Sequence, residues 1–239
     1  MPHRCAVEDI EPRHWIVWML DLPACFSSAK TKKEALKRAP DRIAQYYNWI
    51  TDHDPYMSVP EGPFEIEVME AFHSLPGPED PDYLVNSFFE DDRRPLTIWD
   101  VDVALRLFNW TRQDLQNVLE SARPDQLFTT IDNEVHKSIL GIVGHIAHAE
   151  NWYFNHLDLG LEPSVLPEDV LERLEAVREN THSQLVKLIG VDTIEEHLGE
   201  HWSPRKVVRR ALWHERDHTH HITKRLSALL RKENSGSNG

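Results

Sequence analysis

Eleven of the chain's 15 histidines fall between His136 and His221. The densest run is Trp213-His214-Glu215-Arg216-Asp217-His218-Thr219-His220-His221. Residues four apart on a helix share a face, and steps of about 100° bring His214 and His218 within about 40° of each other. Val207, Ala211 and Leu229 lie on the same line of that helix, so the pair belongs to its buried stripe. His221 flanks the pair, while His220 points to nearly the opposite side and reads as solvated. Two inward imidazoles at this spacing can clamp one divalent metal ion. The alternative is two hydrogen-bonded core histidines, and a third ligand on a facing helix would decide for metal.

The stretch Gly144-His145-Ile146-Ala147-His148-Ala149-Glu150-Asn151-Trp152 supplies that candidate. An apolar stripe runs through Val135, Ile142, Ile146, Ala149, Tyr153 and Leu157. His145 lies on one flank of it and Glu150 on the other, whereas His148 turns toward solvent. The expected metal ligands are therefore His145, His214 and His218, with Glu150, His148 or His221 as substitutes. Trp152 and His156 share the side of His145 and are expected to line a pocket beside it. His221 and His156 are the candidates for proton transfer, without a firm general base. His136 and His182 read as surface or pocket-edge residues, and His197 and His201 as ordinary loop residues. His3, His14, His53 and His73 show no ligand spacing.

His214-Glu215-Arg216-Asp217-His218 also matches H-E-x-x-H, the zinc helix of metalloproteases, in which the Glu is the general base. The extended form needs a third ligand downstream. Only 21 residues follow His218, no histidine lies beyond His221, and Glu233 is poorly placed beside a polar tail. Glu215 lies about 60° from His218 on the helix, so the sequence offers it as a group that orients an imidazole. Asp217 reads as solvated.

Elements that could carry these residues follow from periodicity. Helical patterns run over about 98–121, 133–159, 166–189 and 204–231, punctuated by Pro124, Pro163, Pro167 and Pro204. Four amphipathic helices of that length suit a four-helix bundle. Earlier in the chain, His14–Leu20 is rich in β-branched and aromatic residues and reads as a strand, with Asp21–Ala24 a turn and Cys25–Ser28 a short return strand. Thr31 with Glu34 has capping-box spacing and opens a helix through Ala35, Ala39, Ile43, Tyr46, Tyr47 and Ile50. Phe64–Glu70 alternates apolar and acidic residues as a half-exposed strand does. Between 73 and 98 the reading is an irregular connection with a short helix at Tyr83–Phe89. The fold class is thus α+β: residues 1–95 a small strand-strand-helix-strand module plus linker, 96–232 an all-α bundle, and 233–239 a disordered tail.

Composition sets outer limits. The 239 residues include 26 Lys and Arg against 40 Asp and Glu, a formal charge of −14. That balance speaks against a nucleic-acid-binding surface. No apolar run of about 18 residues suggests a membrane span, and the N-terminus lacks the pattern of a secretory signal. Two cysteines, Cys5 and Cys25, cannot build a disulfide framework, so the expected setting is cytoplasmic.

Two stretches carry family resemblances. Leu140-x-x-x-Gly144-His145-Ile146-Ala147-x-Ala149-Glu150-x-Trp152-Tyr153 and Leu212-Trp213-His214-Glu215-Arg216-Asp217-His218-Thr219-His220-His221-Ile222, in that order, resemble the DinB-like metal-binding family over about residues 98–232. The resemblance implies a four-helix bundle holding one divalent ion, zinc or nickel, on three side chains that map to His145, His214 and His218. It also implies enzymes that use a low-molecular-weight thiol such as bacillithiol, mycothiol or glutathione in S-transfer or isomerisation, although many members have no assigned activity. The extra His220 and His221 depart from that pattern. Trp15–Leu20, Asp21–Phe26 and Thr31-x-x-Glu34-Ala35-Leu36 resemble a HicB-like module over about residues 12–72. The fold is carried over and the antitoxin role is not, because no DNA-binding segment follows.

The expectation is a metal-dependent enzyme of S-transferase or hydrolase type that activates a small thiol or water. Its partners would be a small-molecule thiol or electrophile and a second copy in a homodimer. A non-catalytic metal-bound interaction or stress-response protein and an H-E-x-x-H protease stand as the alternatives.

Overall fold

The computed structural model describes residues 1–11, 14–130 and 136–236. It is a mixed α+β chain that divides into two compact units. The first comprises Met1–Pro95 and Asp192–Arg209, the second Leu96–Val191 and Arg210–Gly239.

Four strands build the sheet of the first unit. They are β1 (His3–Glu11), β2 (His14–Met19), β3 (Phe26–Ala29) and β4 (Ile66–His73), in the order β3-β2-β1-β4. β2 runs antiparallel to both β1 and β3, and β4 runs parallel to β1. Helix α1 (Lys32–His53) packs against β2 and β3, burying Ala35, Ala39, Ile43, Tyr46 and Ile50. Thr31 caps it, accepting from the Glu34 backbone N–H and donating to the Glu34 carboxylate at 3.1 Å.

β1 is an element that the sequence pattern does not show. It is a central strand, and its Cys5, Ala6, Val7 and Glu8 are all fully buried. Cys, Ala and Glu carry little strand signal. Glu8 tolerates burial because its carboxylate accepts from Trp18 Nε1 at 2.9 Å and from the Ser87 backbone N–H at 2.6 Å.

Tyr83–Phe89 is not a helix. Leu84–Val85 (β6) pairs antiparallel with Leu75–Pro76 (β5), and one 3₁₀ turn follows at Glu90–Arg93. The extended backbone is held by Glu200, whose Oε2 accepts from Tyr83 Oη at 2.8 Å and from Asn86 N at 3.1 Å.

Residues 192–209 cluster with the first unit rather than with the helices around them in sequence. They contain a hairpin of Glu195–His197 (β7) and Glu200–Trp202 (β8), whose two-residue turn puts Leu198 and Gly199 at positive φ. The bonds responsible are specific. Lys206 Nζ pairs with Glu200 Oε1 at 2.6 Å, both side chains fully buried. Ser203 donates to the Asp92 carbonyl at 2.6 Å, and Arg209 grips the Asp92 carboxylate with two bonds.

The second unit contains α2 (Ile98–Glu120), α3 (Pro124–Phe128), α4 (Ile139–Asn155) and α5 (Val170–Leu185). The last helix, α6 (Pro204–Gly236), begins in the first unit and continues into the second. Side-chain caps set the starts: Thr97 for α2, Ser138 for α4 and Asp169 for α5. α4 therefore begins six residues later than the periodicity suggested, and α5 four later. Positions 133–135 of the expected helix, Val135 among them, lie outside the described residues. The tail expected to be disordered is helical to Gly236, and 237–239 lie outside the described residues. Leu115 of α2, Ile139, Ile142, Val143, Ile146 and Ala147 of α4, Leu174 of α5 and Ile222 and Leu226 of α6 form one core. Among the described residues no helix is long and apolar enough to cross a membrane.

Candidate metal centre

α4 and α6 each turn part of their buried stripe into donors. His145 on α4 and His214 and His218 on α6 offer one ligand atom apiece, all within 4.8 Å of one another. His214 Nε2 and His145 Nε2 are 3.0 Å apart. At that distance one ring can donate to the other, or both can face a single ion. The ring centroids of His145 and His218 are 5.0 Å apart, and those of His214 and His218 4.4 Å. His214 is 7% exposed, while His145 and His218 are partly buried.

Burial keeps all three imidazoles neutral. It pushes His145 down to about 4, helped by His136 and His148. It pushes His218 down to about 3, with His145, His221 and His136 adding to the effect. His214 is held well below the ordinary value by burial, then by His218, His145 and Arg210. Neutral imidazole is the form that binds a metal. His218 Nδ1 is buried without a hydrogen-bond partner among the described residues, a costly state unless a ligand meets it. Three neutral nitrogen donors suit zinc, nickel, copper or iron, so the residues fit a divalent transition ion.

His136, read as a surface or pocket-edge residue, lies beside this cluster. Its ring stacks on His145 with centroids 4.2 Å apart and planes at 27°, and stands 6.3 Å from His218. On a helix starting at 133 it would sit nine residues before His145 and face away. It reaches the site because the helix starts only after the Ser138 cap. That cap was the signal available in the sequence.

Other candidates are placed differently. His221 stands 6.2 Å from His218, ring to ring, and its Nε2 accepts from Arg225 Nε at 3.2 Å. His148 is exposed. His156, the C-cap of α4, lies eleven residues beyond His145, or about 16 Å along the axis. There it packs edge-on against Trp152 at 4.2 Å. The axial distance takes both residues away from His145.

Glu150 and Glu215 have another task. Arg178 donates to Glu150 Oε1 through Nε and to Oε2 through Nη2, both at 2.8 Å, and its Nη2 also reaches Glu215 Oε2 at 2.6 Å. Arg112 donates to Glu215 Oε1 at 2.8 Å and to Glu150 Oε2 at 3.3 Å. Thr111 Oγ1 adds a bond to Glu215 Oε2 at 2.5 Å. Burial alone would raise the Glu215 pKa, but Arg178 and Arg112 outweigh it and hold the carboxyl at about 2. Burial likewise works against the Arg178 charge, and Glu150 with Glu215 outweighs it. Glu150 is thus no substitute ligand. Glu215 neither orients an imidazole nor stands free as a base, because its oxygens are taken by Thr111, Arg112 and Arg178.

No family model, curated protein or solved structure matches this chain. The chemistry of the site therefore stands on its own geometry.

Proposed function

We propose that the second unit is a DinB-like four-helix bundle built on α2, α4, α5 and α6, and that His145, His214 and His218 hold one divalent metal ion, zinc or nickel. We read the protein as an enzyme that activates a low-molecular-weight thiol or water, in S-transfer or hydrolysis. The observation that carries this reading is the convergence of three neutral imidazoles from two helices, with no carboxylate among them. Three protein ligands are the arrangement of catalytic rather than structural zinc. An ion held there supplies Lewis acidity, bringing the pKa of a coordinated water or thiol toward neutrality.

The chain's own residues bias what could enter. Three neutral donors cancel none of a cation's charge, and Glu150 and Glu215 cancel none because the two arginines already match them. The centre therefore favours an anionic partner, which a thiolate is. The first unit's strand order is compatible with a HicB-like module, which we keep as a fold and not as an antitoxin. The protease alternative lacks its base, since Glu215 is committed to arginine.

Metal analysis of the purified protein tests the reading, with His145, His214 and His218 each changed to Ala. One ion per chain is expected to survive dialysis in the wild type and to be lost on dialysis from each weaker-binding variant; no stoichiometric metal, or none lost, overturns it. A thiol-transfer screen with bacillithiol, mycothiol and glutathione, with and without chelator, tests the enzyme. Bound metal with no turnover of any thiol or electrophile would favour the non-catalytic alternative.

A further inference from the structure

The two helices that bear the histidines also bear the two buried carboxylates. Glu150 follows His145 by five residues on α4, and Glu215 follows His214 by one on α6. Each carboxylate is shared by the same two arginines, Arg112 from α2 and Arg178 from α5. All four side chains are at most 5% exposed. The arginines are anchored in turn, Arg112 to the Leu174 carbonyl at 2.8 Å and Arg178 to the Phe108 carbonyl.

Two facts make this more than packing. First, the quartet is not the cheapest way to fill its volume. Replacing buried ion pairs with apolar side chains of similar size is often neutral or stabilising, and fixing register is their best-attested use. Second, the hydrophobic cluster that joins α2, α4, α5 and α6 is aliphatic, through Leu115, Ile142, Ile146, Leu174, Ile222 and Leu226. Such contacts are non-directional and tolerate small slides and rotations. Bonds from a planar guanidinium to a carboxylate do not, because they are directional and charge-assisted. Sliding α4 against α6 would break bonds at both arginines together.

We propose that the Arg112–Glu150–Arg178–Glu215 quartet is the positioning device of the metal site. It locks α4 against α6 so that His145 meets His214 and His218. The proposal rests on the reading of those three histidines as ligands. None of the four side chains binds the ion; each acts through the helix that carries a ligand.

Cobalt titration tests this, because the visible absorption of Co2+ reports its coordination geometry. The double variant Arg178→Met/Glu150→Leu removes one charge of each sign and leaves Arg112 matched with Glu215. It should keep the helical circular dichroism and the unfolding midpoint of the wild type. Its Co2+ affinity should fall about 10–100-fold, the usual cost of losing support behind metal ligands, and its absorption band should change shape. A folded double variant with wild-type affinity and spectrum overturns the proposal. Thr111→Val, which deletes one bond to Glu215 without unbalancing charge, carries the same test if the double variant does not fold. A several-fold weaker affinity is expected there, and an unchanged titration again overturns the proposal. If the wild type itself takes up no Co2+, the failure lies in the ligand reading and is visible before any variant is made.

Discussion

A metal held by His145, His214 and His218 would tie α4 to α6 across 69 residues of chain, so occupancy should register as stability. With Zn–N bonds of about 2.0–2.1 Å, ligand nitrogens on a tetrahedral ion stand about 3.3 Å apart. His145 Nε2 and His214 Nε2 are already 3.0 Å apart, and all three donors fall within 4.8 Å. Little rearrangement is needed, and the binding free energy appears as added resistance to unfolding. At zinc 100-fold above its dissociation constant the gain is about 2.7 kcal/mol, rising by about 1.4 kcal/mol per further tenfold. In a chain of this size each kcal/mol moves Tm by roughly 2–4 °C, which gives a shift of roughly 5–11 °C. The ligands are not equivalent. His145→Ala leaves the two imidazoles of α6 as a clamp that no longer bridges the helices, so only a small residual shift should remain at high zinc. His218→Ala leaves one on each helix, so a reduced shift should persist at high zinc. Scanning calorimetry of each variant in chelator and along a zinc series reads this directly. Equal wild-type Tm in chelator and in excess zinc refutes the reasoning, as does a full shift in His145→Ala.

Other perturbations probe the first unit. Lys206→Met strands the buried Glu200 carboxylate and should cost about 3–5 kcal/mol in guanidinium unfolding, part of it recovered on adding Glu200→Gln. Gly199→Ala should cost about 1–2 kcal/mol, because Gly199 has φ +82° and a new Cβ would lie 2.5 Å from Pro78 Cδ. Cys5 is fully buried, and burial pushes its thiol from 9.0 up to about 11. The native thiol should resist iodoacetamide at neutral pH. The unfolded thiol ionises first as pH rises, so wild-type stability should decline from pH 9 through about 11, and Cys5→Ala should lose that component of the decline in urea midpoints.

Angular position on a helix is local information, and that is why the three histidines could be read from the chain. The i,i+4 spacing of His214 and His218 and the flank position of His145 depend only on the helical step, which tertiary contacts do not alter. What failed depended on length or on distant partners. His156 shares an angle with His145 but not a level, because rotation repeats while rise accumulates. The sequence leaves His136 between surface and pocket edge, because its position relative to His145 depends on where α4 starts. The hairpin at Leu198 and Gly199 carried no Asn-Gly signal, and Glu200, which holds that segment to the first unit, finds Tyr83 and Asn86 more than a hundred residues away. The same limit hid the quartet. A glutamate beside a ligand histidine reads as a base or an orienting group until Arg112 and Arg178 are seen to claim it. A short H-E-x-x-H match therefore says where two imidazoles point. Whether the glutamate between them does chemistry or holds helices is decided by which cations face it, and here they come from α2 and α5.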